Sequence, residues 1–159
     1  MQASLDLTAL AAAADTHLPW MPVGPGLASR PLAFLPDGQG WVTLLRVEPG
    51  TGIARHRHQG AVHGFILAGR RRLGPNGPVL GPGSFHHEPA GNIDAWTVEG
   101  DQPLVSLFIV CGPVDYLDPE GRVLRTDTAD GRAEAYRRFC LAQGVAPPTC
   151  CAVAAEVQP

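Results

Sequence analysis

The stretch GTGIARHRHQGAVHGFILAG, residues 50–69, decides both the fold class and the candidate site. In a β-strand, residues two apart point to the same face, so His56 and His58 project together, away from the arginines that alternate with them. Two imidazoles on one face of a strand can bind one divalent metal at ~2.0–2.1 Å if a third group approaches from another strand. The pattern therefore predicts a metal site, and the alternative is a pair of unrelated surface histidines.

Short apolar runs separated by turn residues continue on both sides of this stretch. The 159 residues include 19 Gly and 16 Pro, which favours the many tight turns of an all-β chain. Strands at this spacing predict an antiparallel barrel or sandwich, and an apolar content of 45% suffices for the core of one domain. The predicted parts are a short N-terminal helix and arm over 1–30, the barrel over 31–126, a C-terminal helix over 127–145 and a flexible tail over 146–159.

The charge and apolar patterns exclude several classes of partner. A net charge of −3 is too small to indicate a nucleic-acid partner. No segment approaches the ~18 apolar residues of a membrane span, and the N-terminus lacks the basic residues of a signal peptide. With no secretory signal, we expect the four cysteines to be reduced thiols in the cytoplasm. The run Arg70-Arg71-Arg72 is expected at a solvated strand edge, where charge discourages edge-to-edge pairing.

A second stretch, GSFHHEPAGNID at residues 83–94, carries a related pattern. The first block reads G-x5-HxH with a later closing G, and the second reads G-x5-PxG-x2-D. Together the two blocks resemble the paired motifs of the cupin superfamily. That resemblance implies an all-β fold, the cupin (RmlC-like) antiparallel β-barrel or jelly roll, here with a short N-terminal helix and one C-terminal helix.

A closer resemblance covers residues 20–144. It is to the cupin branch that contains 2,4′-dihydroxyacetophenone dioxygenase, acetylacetone-cleaving dioxygenase and the cupin domain of certain anti-sigma factors. Members with known activity hold non-haem Fe(II) on three histidines and cleave carbon–carbon bonds next to carbonyls with O₂. The resemblance carries two of those ligands to His56 and His58 and the third to Asp94, where the family usually has His. It also matches Glu88 to a family glutamate that lies close to the iron.

The departures from the family pattern leave several assignments open. Asp94 can bind metal, because carboxylate oxygens suit iron, manganese and zinc. Since the Asp side chain is shorter than that of His, three alternatives remain: Asp94 ligates directly, acts through a bridging water, or does not ligate. His63 lies near the position of a missing family Glu, and either completes the ligand set or stays outer-sphere with Val62 facing inward. His86 and Glu88 share a strand face, so we expect both to point into the barrel as proton acceptors or orienting groups. A buried Glu88 needs a partner or a proton.

The leading hypothesis is a non-haem Fe(II) dioxygenase that takes a small dicarbonyl or hydroxyketone and O₂ and cleaves a carbon–carbon bond. Fe(II) is the expected metal, with Zn, Mn and Ni as alternatives. The second hypothesis is a zinc-holding binding or sensing module without oxygenase activity. The third is a metal-dependent isomerase, hydrolase or lyase, because one barrel hosts many chemistries. By resemblance, we also expect a homodimer.

Overall fold

The computed structural model describes residues 18–151, which form twelve β-strands and one α-helix. The strands are β1 Met21–Gly24, β2 Leu27–Phe34, β3 Gly40–Val47, β4 Gly52–His58, β5 Val62–Ala68, β6 Arg71–Leu73, β7 Val79–Leu80, β8 Phe85–Glu88, β9 Ile93–Val98, β10 Leu104–Cys111, β11 Val114–Leu117 and β12 Val123–Asp127. The helix α1 spans Ala129–Ala142. The all-β class predicted from the sequence is confirmed.

The strands form two six-stranded antiparallel sheets. The first has the order β1-β2-β3-β10-β5-β8, and the second has the order β12-β11-β4-β9-β6-β7. Strands that are adjacent in sequence, such as β4 and β5, fall in different sheets, so the chain passes repeatedly from one sheet to the other. This double-sheet arrangement is the predicted jelly roll.

The core lies between the two sheets. On β10, residues alternate between buried and half-buried along the whole strand, as expected when one face of a sheet packs on the core. Trp41, Ile66, Trp96 and Phe108 are members of the main apolar cluster. Burial of each such side chain contributes about 1.5–3 kcal/mol, so these residues hold the two sheets together.

The first strands begin before the predicted start of the barrel. Residues 21–24 and 27–34 form β1 and β2 rather than an arm, and β1 pairs antiparallel with β2 at the outer edge of its sheet. Pro22 lies in the edge strand, where a missing N–H costs no ladder hydrogen bond on the open side. The predicted arm over these residues is therefore wrong for 21–24 and 27–30, which are strand.

The C-terminal part packs onto the outside of the sheets. Thr128 caps α1, because its Oγ1 accepts a hydrogen bond from the Gly131 N–H at 3.1 Å. The Tyr136 hydroxyl donates to the Pro19 carbonyl at 2.7 Å, which ties the helix to the first residues of the described chain. The prediction of a flexible tail fails for residues 149–151, which form a 3₁₀ turn whose Cys151 is fully buried against Tyr136 and Cys140.

The predicted short N-terminal helix falls before residue 18 and so lies outside the described residues. Between residues 18 and 151, no helix has the length and apolar character needed to cross a membrane.

Candidate metal centre

His56 and His58 lie side by side on the inner face of β4. They are 5% and 6% exposed, and their Nε2 atoms are 2.9 Å apart. His56 Nδ1 lies 2.8 Å from the Ala54 carbonyl oxygen, which fixes Nδ1 as the donor and leaves Nε2 with its lone pair. A hydrogen bond from the far ring nitrogen to a backbone carbonyl is the usual support of a metal-binding imidazole. The predicted common orientation of the two rings is therefore present.

Glu88 meets these imidazoles from the opposite sheet. Its register partner on β5 is the buried Val62, so its side chain points inward, and Glu88 Oε2 lies 3.3 Å from His58 Nε2. Asn92 Nδ2 donates to the same oxygen at 3.1 Å. Burial alone would raise the pKa of Glu88, but the hydrogen bond and charge of His58, the charge of Arg71 and the Asn92 hydrogen bond lower it from 4.5 to about 2. Glu88 has therefore found partners and is ionised.

His58 Nε2 lies 2.9 Å from His56 Nε2 and 3.3 Å from Glu88 Oε2, but the three side chains do not form a complete metal site as they stand. Across residues 18–151, no group of three or more His, Cys, Asp or Glu side chains is arranged to hold a metal ion. In the present arrangement the two imidazoles hydrogen-bond to each other. The separations of 2.9 and 3.3 Å are nevertheless close to the ~3 Å expected between ligands at right angles about an ion with ~2.1 Å bonds. The chemistry and spacing of the donors fit a divalent metal that replaces the proton between the rings.

Asp94 lies next to His56, its register partner on β4. Its Oδ1 accepts a hydrogen bond from the Ala95 N–H at 2.7 Å, so this oxygen is engaged with the backbone of its own strand. The side chain is half-buried. Burial lowers the pKa of His56, and the charge of Asp94 opposes that shift only in part. Asp94 is therefore adjacent to His56, and one of its two carboxylate oxygens is engaged by the backbone.

The structure does not bring His63 to this group. His63 pairs with His87 across β5 and β8, and the two rings are 4.9 Å apart. The adjacent Val62 is buried and occupies the inward position. Because side chains alternate along a strand, an inward Val62 puts His63 on the outer face. The expectation that His63 completes the ligand set is not met, and the alternative with Val62 inward is the observed one.

His86 points inward with Glu88, as predicted, and its ring occupies space that Gly64 leaves free. A Cβ atom at Gly64 would lie 1.9 Å from His86 Cε1, so any side chain at position 64 would displace the His86 ring. Neither ring nitrogen of His86 has a hydrogen-bond partner within the described residues. Burial and the charge of Arg71 lower the pKa of His86 from 6.5 to about 4, despite the opposing effect of Glu88. His86 is therefore neutral at physiological pH.

Acidification is expected to destabilise the metal-free protein through His86. The pKa of His86 is lower in the folded chain than in the unfolded chain, so the unfolded state takes up the proton first. The free energy of unfolding should fall between pH 6.5 and pH 4, by about 2 kcal/mol from this residue alone. Urea unfolding at a series of pH values measures the slope, which should become shallower in His86→Leu.

The adjacent His87 provides a matched control for this measurement. It faces outward, so His87→Leu should keep the slope of the parent protein between pH 6.5 and pH 4. Equal slopes in the parent protein and in His86→Leu would contradict the assignment of the acid sensitivity to His86.

Arg71 carries a buried charge next to Glu88. It is 0% exposed, although the run of three arginines was expected at a solvated edge. Its guanidinium lies over the rings of Trp96 and Phe108, with Cζ 4.9 and 5.5 Å from the ring centroids, and its Nη2 is 3.5 Å from Glu88 Oε1. Arg71 lies two residues before Leu73 on the same strand, and Leu73 packs on the core, so the period of two predicts that Arg71 also points inward.

A cavity of about 800 Å³ lies between the two sheets. His56, His58 and Glu88 line it at a buried position, and aromatic rings form much of its wall: Trp41, Trp96, Phe108 and Tyr116. Its rim includes exposed residues of β12 and of the first turn of α1. A concave, mostly apolar pocket with a few convergent polar groups is typical of a small-molecule site.

Two facing antiparallel sheets with paired inward histidines on one strand define the cupin class of β-barrels. Residues 8–115 match the ChrR Cupin-like domain, and the chain belongs to this family. No curated protein matches the chain.

Solved structures agree with this assignment of the fold. An RmlC-like cupin protein from Ralstonia eutropha JMP134 is 24% identical, with a TM-score of 0.78 over 83% of this chain and 87% of that chain. An acetylacetone dioxygenase from Acinetobacter johnsonii is 17% identical, with a TM-score of 0.69 over 78% and 87%. The Rhodobacter sphaeroides complex of SigE with the anti-sigma ChrR is 19% identical, with a TM-score of 0.54 over 68% of this chain and 57% of that chain. The predicted cupin relationship is confirmed.

Proposed function

We propose that this protein is a metal-dependent dioxygenase that cleaves a carbon–carbon bond next to a carbonyl group of a dicarbonyl or hydroxyketone. The observation that carries the proposal is the position of His58 Nε2, 2.9 Å from His56 Nε2 and 3.3 Å from Glu88 Oε2, at one wall of a cavity of about 800 Å³. The structural likeness to an acetylacetone dioxygenase supports the same chemistry.

The ligands in this proposal are His56, His58 and one carboxylate. Two histidines and a carboxylate form the set that leaves open positions in many non-haem Fe(II) oxygenases. Glu88 is favoured as the carboxylate because Glu88 Oε2 already lies 3.3 Å from His58 Nε2, while Asp94 Oδ1 is held by the Ala95 N–H. A divalent metal held there would polarise substrate oxygens and, in the case of iron, react with O₂.

The surrounding residues orient these side chains and exclude water. The Ala54 carbonyl holds the His56 ring, and Asn92 holds Glu88 Oε2. Trp96 and Phe108 form a dry wall beside the carboxylate. With a pKa near 2, Glu88 is a poor proton acceptor at neutral pH, so we assign it to charge and ligation rather than to proton transfer. The neutral His86 ring packs beside Glu88, with its Nε2 3.7 Å from Glu88 Oε1 and no hydrogen bond between them.

Oxygen consumption tests this function directly. The purified protein is loaded with Fe(II) without air and mixed with O₂ and a panel of β-diketones and hydroxyketones. Uptake of O₂ should depend on the added ketone and should be lost in His56→Ala, which removes one imidazole of the cluster. Uptake no greater than that of the metal-free protein across the panel would contradict the oxygenase proposal.

The family assignment favours one further candidate, a zinc-holding sensing module without oxygen chemistry. The matched family is named for ChrR, and the ChrR structure with a related fold is an anti-sigma protein in complex with SigE. The two candidates predict opposite results in the same assay. A sensing module should retain zinc through His56 and His58 and consume no oxygen with any ketone.

A further inference from the structure

Two arginines at the rim of the cavity share a single acidic partner. Arg125 Nε lies 3.3 Å from Asp127 Oδ1, and Arg132 Nη2 lies 2.9 Å from Asp127 Oδ2. Two guanidinium groups and one carboxylate leave one positive charge at this rim. All three residues line the cavity. Asp130, in the same turn as Arg132, is exposed and does not line it.

Aromatic rings of the cavity wall hold both guanidinium groups. Arg125 Cζ lies 3.8 Å from the centroid of the Tyr116 ring, and Arg132 Cζ lies 5.1 Å from the centroid of the Trp41 ring. Stacking of this kind fixes the plane of a guanidinium and leaves its edge available for hydrogen bonds. Within the described residues, the buried Nε of Arg132 has no hydrogen-bond partner. The rim therefore offers oriented donors beyond those that Asp127 uses.

One molecule can reach from this rim to the histidine pair. Tyr116 is the register partner of His56, and its ring centroid is 5.9 Å from that of His56. Arg125 covers the same Tyr116 ring, so a single aromatic side chain separates the rim from the cluster. The cavity volume of about 800 Å³ suits a molecule of drug size and exceeds what a dicarbonyl fragment alone requires.

We propose that the cavity binds an elongated organic monoanion, with its carboxylate on Arg125 and Arg132, its apolar body along the aromatic wall and its other end at His56. This inference rests on the proposed function only for the ketone at the far end, because binding of the carboxylate requires no metal. A monoanion is preferred because it neutralises the single excess charge. A planar carboxylate also matches the paired N–H donors of guanidinium groups. The substrate class is thus an aryl or alkyl carboxylic acid that carries the ketone at its far end.

Binding to the full-length, metal-free protein tests the proposal. The probes are 4-phenylbutyrate and its neutral amide, 4-phenylbutyramide, measured by isothermal titration calorimetry with tryptophan fluorescence as a second readout. The carboxylate should bind at least about 10-fold more tightly than the amide, as expected for charge-assisted hydrogen bonds. In Arg132→Gln the carboxylate should bind no better than the amide.

A control on the same helix separates this effect from general loss of charge. Arg137 pairs with Glu134 and does not line the cavity, so Arg137→Gln should keep the preference for the carboxylate. Arg125→Gln serves as a second rim variant if Arg132→Gln is poorly folded, and it should also reduce the preference. Equal binding of the two probes by the parent protein would overturn the proposal, as would an unchanged preference in both rim variants. Carboxylate binding without any oxygen uptake would preserve this site and reject the oxygenase.

Discussion

Replacing Glu88 with Gln is expected to weaken the binding of Fe(II) or Zn(II) by about 100-fold or more. Replacing a residue that only hydrogen-bonds to a metal ligand typically lowers metal affinity by about 10–100-fold, and Glu88 is proposed to bind the ion itself. The carboxamide has nearly the same shape but lacks the charge that now faces His58 and Arg71. Anaerobic calorimetry, with elemental analysis of the dialysed protein, measures the loss. His56→Ala sets the level expected for a missing ligand.

Asp94→Asn provides the matched comparison for this prediction. Asp94 lies beside His56 but is hydrogen-bonded to the Ala95 N–H, so its amide should change metal affinity by less than about 10-fold. The opposite result, with metal retained in Glu88→Gln and lost in Asp94→Asn, would transfer the ligand role to Asp94. The family motif alone assigns the position in that way.

Replacing Arg71 with Met is expected to lower the free energy of unfolding of the metal-free protein by about 3 kcal/mol. Removing one partner of a buried ion pair leaves the other charge without compensation, which typically costs 3–5 kcal/mol. His58 and Asn92 still contact Glu88, so the lower end of that range applies. Methionine retains much of the packing against Trp96 and Phe108. Chemical denaturation measures the change.

A second substitution distinguishes the loss of charge balance from a loss of packing. The double variant Arg71→Met/Glu88→Gln removes both charges and should recover at least half of the lost stability. The exposed neighbour Arg70 is the control, and Arg70→Met should change stability by less than about 0.5 kcal/mol. No recovery in the double variant would show that Arg71 acts through packing alone. The double variant also gives a charge-balanced background in which metal affinity without Glu88 can be measured.

The sequence predicted the cupin fold and the orientation of the inward side chains on β4 and β8. Alternation with period two was sufficient for both, because strand continuity defines which residues share a face. His56 and His58 therefore project together, and Glu88 does so with His86. Alternation alone does not say which face is the inner one. The orientation of His63 therefore follows only from the structure, in which the neighbouring Val62 is buried on the inner face.

Two predictions are wrong because the composition of a segment indicated one environment and the position of its residues in the sheet gives another. The run of three arginines predicts a solvated edge for Arg71, but Arg71 shares its strand face with Leu73 and is buried. Prolines made residues 21–30 resemble an arm, although an edge strand tolerates them. The pairing of Glu88 with His58 depends on contact between strands of different sheets, which no local pattern encodes.

His56 and His58 belong to one sheet, whereas Glu88 belongs to the other. An unfolded chain, or a single sheet alone, therefore lacks the complete set of three donors, which exists only when the two sheets pack together. By thermodynamic linkage, an ion bound by all three side chains raises the free energy of unfolding, because it holds the two sheets together. Such an ion also opposes any local separation of the two sheets that would admit water to the core.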